Sequence, residues 1–571
     1  MKNEGSALRT GSGLYDEALI LERTAHLKRM REIGDLYEIL FAVRADLLRN
    51  IGNIASSKLH KDLLVIPKPI EEYIQEVKSC IQEVSKASAI PIEDRLMFLR
   101  ETRHAFGRTA LVLSGGGSFG AFHLGVIRSL LDASLLPRVL SGSSAGAIVA
   151  AVVGTRTRAE LKELFASLDD RIKDIDFYSA NTASQIARHL LLKGTLQDYR
   201  VLQEKLRDLL GEYTFEEAYA QSGIAINVAV SAADTSEPPR LLNYLTAPNV
   251  LVWSAVACSS AFPFLYVPQT LLARDSKGRI LPFANKAAGE SQRRWRDGSL
   301  EEDLPMRGLS EMFNVNYFLV SQCNPYLLPI LAFKDALPST LGVLAEQEFK
   351  HRCQQLMELM PRKLGASKFL KLLSQPWEGD VTMMLPVTTL SAVKAVINLS
   401  KDDVLLALNE GQKATWKQLS SIAANCNIEV TLDECLRQVT AKASRKRVQQ
   451  AQWRSSQNNL ASRRGIPSWI HLQSLGIPNA DSFEGLTSHQ TAQHRPKSPG
   501  IPSSVGLGMA RNHRVMGSSV PEDLTLMDEL YPSEHEEGVE LIGKSPVDQR
   551  NVWKALFEVA PASNALDFIA P

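Results

Sequence analysis

The stretch TALVLSGGGSFGAFHLGVIRSLLDASLLPRVLSGSSAGAIVAAVVG, Thr109–Gly154, decides the fold. Thr109–Ser114 is a short apolar run that reads as a strand, and Gly115-Gly116-Gly117 ends it. Phe119–Leu131 has helical character, Pro137 follows it, and Arg138–Ser141 reads as a second strand. A second glycine-containing turn leads into Ala145–Gly154, a helix of small residues. Strand, helix, strand, helix with short connections is the signature of a parallel sheet covered by helices. Gly223–Ser231 and Asn314–Ser321 add further strands, so the expected fold class is α/β with a parallel-rich central sheet.

Outward from this core the chain changes character three times. Residues 1–105 read as an N-terminal helical region. There Leu36, Ile39, Leu40, Val43, Leu47, Leu48 and Ile51 repeat at the spacing of one apolar helix face. That face suits either a packed helical layer or contact with lipid or a partner. Residues 106–330 form the sheet-containing domain. Residues 331–440 return to helices, with Glu346–Leu359 and Val404–Ile422 as examples. Residues 441–571 are expected to be a mostly disordered tail, since they are rich in Gln, Ser and Arg, and ten of the 27 prolines lie at or after Pro467. Within that tail, Val552–Val559 suits a short amphipathic turn.

Composition excludes several function classes. The 571 residues carry 64 Lys and Arg against 63 Asp and Glu, so no polybasic surface for nucleic acid is expected. Six scattered cysteines form no C-x-x-C pair, which argues against a disulfide framework or a zinc site and fits a reducing compartment. The start Met-Lys-Asn-Glu-Gly lacks the apolar core of a signal peptide, and no apolar run reaches about 18 residues. The expectation is a cytoplasmic protein, either soluble or peripheral to a membrane surface.

Three short features carry chemistry. Gly115-Gly116-Gly117-Ser118-Phe119-Gly120 lies between a strand and a helix, where unobstructed amides face negative charge. It fits a phosphate cradle or an oxyanion hole. Gly115, Gly117 and Gly120 match G-x-G-x-x-G, but no Gly-Lys-Ser/Thr follows as a Walker loop needs. Gly142-Ser143-Ser144-Ala145-Gly146 matches G-x-S-x-G, with Ser144 on a strand-to-helix turn that closes only between small residues. Trp295-Arg296-Asp297-Gly298-Ser299 is an ordinary Asp-Gly turn unless the serine needs a base.

Histidine is a poor choice for that base. Downstream of Asp297 and before the tail only His351 occurs, in the charged run Phe349–Arg352 that reads as a solvated helix face. His123 follows the glycine loop on a helix expected to pack on the sheet, and reads as a satisfied, partly buried side chain. A Ser–Asp dyad is chemically sufficient: the carboxylate takes the hydroxyl proton and backbone amides hold the oxyanion.

A glycine-rich loop, then G-x-S-x-G, then Asp-Gly resembles the patatin-like phospholipase family. The match runs through Leu113–Gly120, Leu140–Gly146 and Arg296–Ser299, and Trp253–Pro263 resembles the family's small-residue helix and following proline. Two departures are Ser299, where many members have Gly, and the absence of Arg or Lys directly after Gly120. The resemblance is closer still to the intracellular triacylglycerol lipases of yeast lipid particles and plant oil bodies, the plant sugar-dependent lipases among them. It extends over roughly residues 14–440, through Phe41–Asn50, Glu101–Ala110, Arg293–Leu300, Phe349–Cys353 and Gln375–Asp380.

This resemblance implies a three-layer α/β/α sandwich with flanking helical regions. It implies Ser144 as nucleophile, Asp297 as proton acceptor and Gly115, Gly116, Gly117 and Ser118 as the oxyanion hole, with Gly120, Gly142, Gly146 and Gly298 completing the motifs. The expected activity is hydrolysis of triacylglycerol or another acyl lipid at a lipid droplet or membrane surface. No metal or other cofactor is expected, because no Asp/Glu/His cluster at ligand spacing lies beside the dyad. A phospholipase A or acyltransferase of the same fold and a non-catalytic droplet scaffold are the competing readings. Contact with lipid is expected from helices in 15–50, from the segment between Ser231 and Asp297, or from Tyr326–Phe333, whose alternative is a buried strand or helix end.

Overall fold

The computed structural model describes residues 14–56, 59, 65–167, 177–179, 182–233, 237–283, 293–359, 365–387 and 392–463. Among the described residues the first helices are α1 (Glu17–Ile33), α2 (Leu36–Asp46), α3 (Lys68–Lys86) and α4 (Ile92–Phe106). Asp16 and Asp35 cap α1 and α2 by accepting from amides in their first turns. The stripe read over Leu36–Ile51 is broken, because α2 stops at Asp46. Ile39, Val43, Leu47 and Ile51 are buried, while Leu48 is 63% exposed.

Strand β1 (Arg108–Leu113) opens the α/β body, and a tight turn at Gly117–Gly120 feeds α5 (Ala121–Asp132). Then come β2 (Val139–Gly142), α6 (Ala145–Gly154), α7 (Arg158–Ala166), α8 (Ala183–Lys193), α9 (Tyr199–Leu210), α10 (Phe215–Ser222), β3 (Ala225–Ala232) and β4 (Arg240–Leu242). Next are α11 (Val252–Ser259), the hairpin β5 (Leu272–Arg274) and β6 (Ile280–Pro282), β7 (Trp295–Asp297), α12 (Ser299–Glu302), α13 (Met306–Phe313) and β8 (Val315–Gln322). The described chain closes with α14 (Leu328–Asp335), α15 (Ser339–Leu359), α16 (Gly365–Ser374), β9 (Val381–Met384) and α17 (Lys401–Arg463).

The main sheet runs β4-β3-β2-β1-β8-β9. All pairs from β3 to β9 are parallel, while β4 and β7 both pair antiparallel with β3. Period-two alternation sends Leu111 and Leu113 into the larger core, with α5 and α6. Ala110 and Val112 face the opposite core, closed by Leu309 and Phe313 of α13. The expected parallel-rich sheet with helices on both faces is therefore present.

A buried ionic cluster joins the first helices to the last. Arg49 is 8% exposed and donates to Thr109 Oγ1 at 3.0 Å, the Asn425 carbonyl at 3.0 Å and Glu429 Oε2 at 2.7 Å. Its guanidinium stacks 4.5 Å from the Phe106 ring centroid. Arg103 donates to Glu429 Oε1 at 2.7 Å and to Asp433. The Thr109 amide donates to Glu429 Oε1 at 3.0 Å. Burial alone would raise the Glu429 pKa, but Arg103 and Arg49 hold it well below the usual carboxylate range.

Helix α17 also crosses α5 at van der Waals limits: a Cβ on Gly125 would meet the Leu408 carbonyl oxygen at 1.9 Å, and one on Gly411 would meet that of Phe122 at 2.2 Å. The helix runs to Arg463, past the expected start of the tail at residue 441. Ala, Lys, Arg and Gln dominate 441–463 and no proline comes before Pro467, so nothing there breaks the backbone hydrogen bonds. The chain divides into two contact units, the second beginning at Thr440, and of that unit only 440–463, the continuation of α17, is described. The remainder of the expected tail, with Val552–Val559, lies outside the described residues, as do residues 1–13.

Tyr326–Phe333 mostly turns inward. Leu327 and Leu331 are buried against Trp377, and Phe333 stays 66% exposed. No described helix is long and apolar enough to cross a membrane. All six cysteines are buried and free. Replacing Arg49 by Ala leaves Glu429 with one fewer countercharge in a dry site, and the expected loss is about 3–5 kcal/mol of stability, read from the urea unfolding midpoint.

Candidate active site

The site is assembled at the carboxyl ends of β1 and β2, where ligands bind in open α/β sheets. Ser144 follows β2 at φ 52° and ψ −119°, an unfavourable conformation for a residue with a Cβ. Close packing explains the flanking glycines. A Cβ on Gly142 would meet the Gly146 carbonyl carbon at 2.3 Å, and a Cβ on Gly146 would meet the Leu113 carbonyl oxygen at 2.2 Å. The turn is then tied from outside. The Ser144 amide donates to Ser259 Oγ at 3.0 Å, Ser259 Oγ donates to the Ala229 carbonyl at 2.7 Å, and Ser143 Oγ donates to the Asp303 carbonyl at 3.2 Å.

Asp297 ends β7, whose antiparallel pairing sets Asp297 opposite Val230. A Cβ on the next residue, Gly298, would meet the Ala229 carbonyl carbon at 2.4 Å. Asp297 is 1% exposed, and its Oδ1 accepts the Ser299 amide at 2.8 Å. Burial pushes its carboxyl up to about 6, against the lowering effect of Ser299 and of the Ser144 hydroxyl. Oδ2 makes no hydrogen bond of standard geometry among the described residues, while the Ser144 hydroxyl lies near enough to lower the carboxyl's pKa, so this oxygen is placed to accept from the serine.

The glycine loop covers the other side. Gly116 has φ 158° and Gly117 φ 60°, and a Cβ on Gly117 would meet the Ala395 carbonyl oxygen at 2.0 Å. Among the described residues no acceptor takes the amides of Gly116, Gly117 or Ser118. Gly115 differs from the expectation that grouped it with them: its amide donates to Asp303 Oδ1 at 3.0 Å. It is a fastening point of the loop and not a free donor. The Ser118 hydroxyl is likewise engaged, donating to the Ile397 carbonyl. Gly120 packs on Ala145, where a Cβ would come within 2.7 Å of the Ala145 Cβ.

Asp303 is the residue that sequence reasoning missed. It is 3% exposed, its side chain accepts from the Gly115 amide and from Asn324 Nδ2, and its own amide donates to Gln375 Oε1 at 2.8 Å. Burial pushes its carboxyl up to about 7, opposed by the Gly115 amide, with the Asp297 charge adding to the rise. In Glu301-Glu302-Asp303 nothing marks the third acid as buried except the Leu304-Pro305 that follows. His351 sits on an exposed face as expected, and His123 is satisfied as expected but buried completely, not partly. His123 is fully buried between Ser321 Oγ at 2.7 Å and the Ser114 carbonyl at 3.0 Å, and burial lowers its pKa to about 4. His351 is exposed on α15, beside Gln355.

Between Ser144 and the glycine loop opens a cavity of about 110 Å³. Its walls are apolar, with Leu124, Ile148, Phe165, Phe177 and Leu265 among them, and Val404 of α17 completes them. Tyr178 and Tyr266 stack along one wall with ring planes 7° apart. The Tyr178 hydroxyl donates to the Ala395 carbonyl at 3.2 Å. Such a space suits an alkyl chain whose polar end lies at Ser144.

The buried carboxyl carries a stability consequence. A carboxyl whose folded-state pKa exceeds its unfolded value stabilises the fold only below the unfolded value, and stability falls as pH climbs through the folded one. For Asp297 that window runs from the model-peptide 3.8 to about 6. Asp297→Asn is therefore expected to stabilise the protein by on the order of 2–3 kcal/mol at pH 8, with the gain vanishing near pH 3. Thermal unfolding of both proteins across that pH range measures it.

Comparison with known proteins agrees with this geometry. Residues 111–309 match the patatin-like phospholipase family, and residues 2–104 match a domain of unknown function designated DUF3336. The chain is 43% identical to the protein named triacylglycerol lipase SDP1L of Arabidopsis thaliana, covering 74% of this chain and 54% of that one. It is 34% identical to triacylglycerol lipase 4 of Saccharomyces cerevisiae, covering 74% of this chain and 49% of that one. It is 31% identical to triacylglycerol lipase ptl3 of Schizosaccharomyces pombe, covering 73% of this chain and 88% of that one. The chain thus spans about half the length of the first two relatives and most of the third. With the strained serine turn, the glycine loop and the Asp-Gly strand end all in place, the chain belongs to the patatin-like phospholipase family, in the branch of plant and yeast proteins named triacylglycerol lipases.

Proposed function

We propose that the chain hydrolyses triacylglycerol to diacylglycerol and fatty acid, through Ser144 as nucleophile and Asp297 as its base, at the surface of a lipid droplet. One observation carries this reading: Ser144 is held at φ 52° on the wall of an apolar cavity, beside a buried carboxyl with an oxygen placed to accept from it. The names of its relatives, 31–43% identical to it, support the same substrate class.

In the first half-reaction Ser144 Oγ adds to the ester carbonyl carbon as its proton moves to Asp297. The carbonyl oxygen becomes an oxyanion, and the amides of Gly116, Gly117 and Ser118 receive it. Each well-placed donor contributes about 3 kcal/mol to that transition state. Collapse breaks the bond to the glycerol oxygen, which takes the proton from Asp297 and departs with diacylglycerol. Water then attacks the acyl carbon while giving its proton to Asp297. The Ser144 oxygen is expelled, recovers that proton, and fatty acid leaves.

The family description also names phospholipase activity, which keeps phosphatidylcholine in view as a substrate of the same site. The test is a side-by-side assay on triolein and phosphatidylcholine. Ser144→Ala and Asp297→Asn are each expected to lower triolein turnover by roughly 10⁴-fold or more with the fold retained. Triolein activity preserved in Ser144→Ala would sink the assignment, and turnover confined to phosphatidylcholine would replace the substrate. Because the base must be ionised and burial holds Asp297 at about 6, kcat/KM is expected to rise with pH through that value and then level off.

A further inference from the structure

Helix α8, with sequence ASQIARHLLLK, is well formed yet turns most of its described side chains to solvent. Thr182 and Gln185 close a capping box at its start, and none of its described side chains is buried. Leu191 and Leu192 are 85% and 72% exposed, and Leu190 is exposed beside them. Both feet of this excursion are fastened to the wall of the cavity that opens at Ser144. On one side Ser179, next to the cavity residue Tyr178, bonds to Gln197 Oε1 at 3.1 Å and accepts the Asp198 amide at 3.0 Å. On the other side the Leu196 amide donates to the Phe264 carbonyl at 2.8 Å and the Gln197 amide to that of Leu265, itself a cavity residue, at 3.1 Å.

Phe264 supplies a second, independent observation. It is 75% exposed at φ 67°, a left-handed conformation that a bulky residue rarely takes. Strain of this kind persists only where the surroundings enforce it. Here the flanking bonds of Leu196 and Gln197 enforce it, and an aromatic ring is left outside, next to the substrate cavity. The charge on α8 is of one sign as well: its sequence carries Arg188 and Lys193, and its eleven residues hold no Asp or Glu. Exposed leucines with basic neighbours and a projecting aromatic ring match a lipid–water interface, where apolar groups enter the acyl region and cations meet headgroups.

We infer that Leu190–Leu192 of α8 and Phe264 form the surface by which this chain docks on a phospholipid-coated lipid body, bringing the mouth of the Ser144 cavity against it. This rests on the lipase reading and names the face that meets the substrate phase. Docking is read apart from turnover by flotation of Ser144→Ala protein with triolein emulsion coated in phosphatidylcholine. In that background, Leu191→Ser/Leu192→Ser and, separately, Phe264→Ser are expected to lower the bound fraction about ten-fold and about three-fold. Leu341→Ser/Leu344→Ser, at exposed positions of α15, is expected to leave binding as it was.

In otherwise unaltered enzyme the α8 pair is expected to cut emulsion hydrolysis while hydrolysis of monomeric p-nitrophenyl butyrate stays within about two-fold. Full emulsion binding by the α8 pair and by Phe264→Ser overturns the inference. So does equal loss in the α15 control, or a fall in light-scattering mass with binding intact, which would assign the face to a second copy of the chain. If the α8 pair loses soluble-ester activity through misfolding, Phe264→Ser decides. An enzyme inactive on every ester that still floats through these residues refutes the lipase reading and leaves the docking surface standing.

Discussion

Glu429 draws together parts of the chain that sequence keeps far apart. Its carboxylate receives Arg49 from the first helical region, Arg103 from α4, and the amide of Thr109, 320 residues away at the start of β1. Strand β1 is thus pinned at one end, and the glycine loop leaves from its other end only two residues after Leu113. The loop's position relative to Ser144 depends on the register of β1 against β2, where Leu113 lies opposite Gly142. A polar cluster remote from the chemistry therefore fixes the frame in which the chemistry is arranged. Two guanidiniums compensate one carboxylate, with Asp433 balancing Arg103, so few charges in this dry region are left alone.

The serine turn was legible in sequence because much of its physics is local. Gly142 is required by its contact with Gly146 four residues on, and the strand and helix around them declare themselves by pattern, whereas Gly146 is required by the Leu113 carbonyl of the neighbouring strand. The helix positions of His123, packed inward, and His351, on an outer face, were legible too. Asp303 was not legible, because its role exists only where β1, the segment after α12 and Asn324 meet. The same holds for Gly115, which is indistinguishable from Gly116 in a run of three glycines until Asp303 is seen to hold its amide. The continuation of α17 to Arg463 was not legible, because the prolines that mark the composition of 441–571 begin only at Pro467.

Two buried carboxyls within mutual electrostatic reach define the character of the site. One has an oxygen placed to accept from the serine, and the other is occupied in holding the loop. Burial raises both pKa values, against the hydrogen bonds each carboxyl accepts, and it strengthens the polar interactions that remain. The fold sustains this arrangement because small residues bring backbones to within contact of one another at Gly142, Gly146 and Gly298, leaving no room for water to relieve the charge.

The segment that matches the patatin-like family, 111–309, begins inside β1 and stops before β8. Yet β1 pairs with β8 along Thr109–Leu113, the Ala395 carbonyl backs Gly117, and Val404 closes the cavity wall. A fragment trimmed to those bounds would turn the innermost strand of the sheet into an open edge, with a row of unpaired amides and carbonyls and apolar side chains on either face. Such an edge recruits strands from other molecules. The family's matching segment and the self-sufficient folding unit are thus different lengths of chain, and only a piece that reaches past β8 keeps β1 paired on both sides.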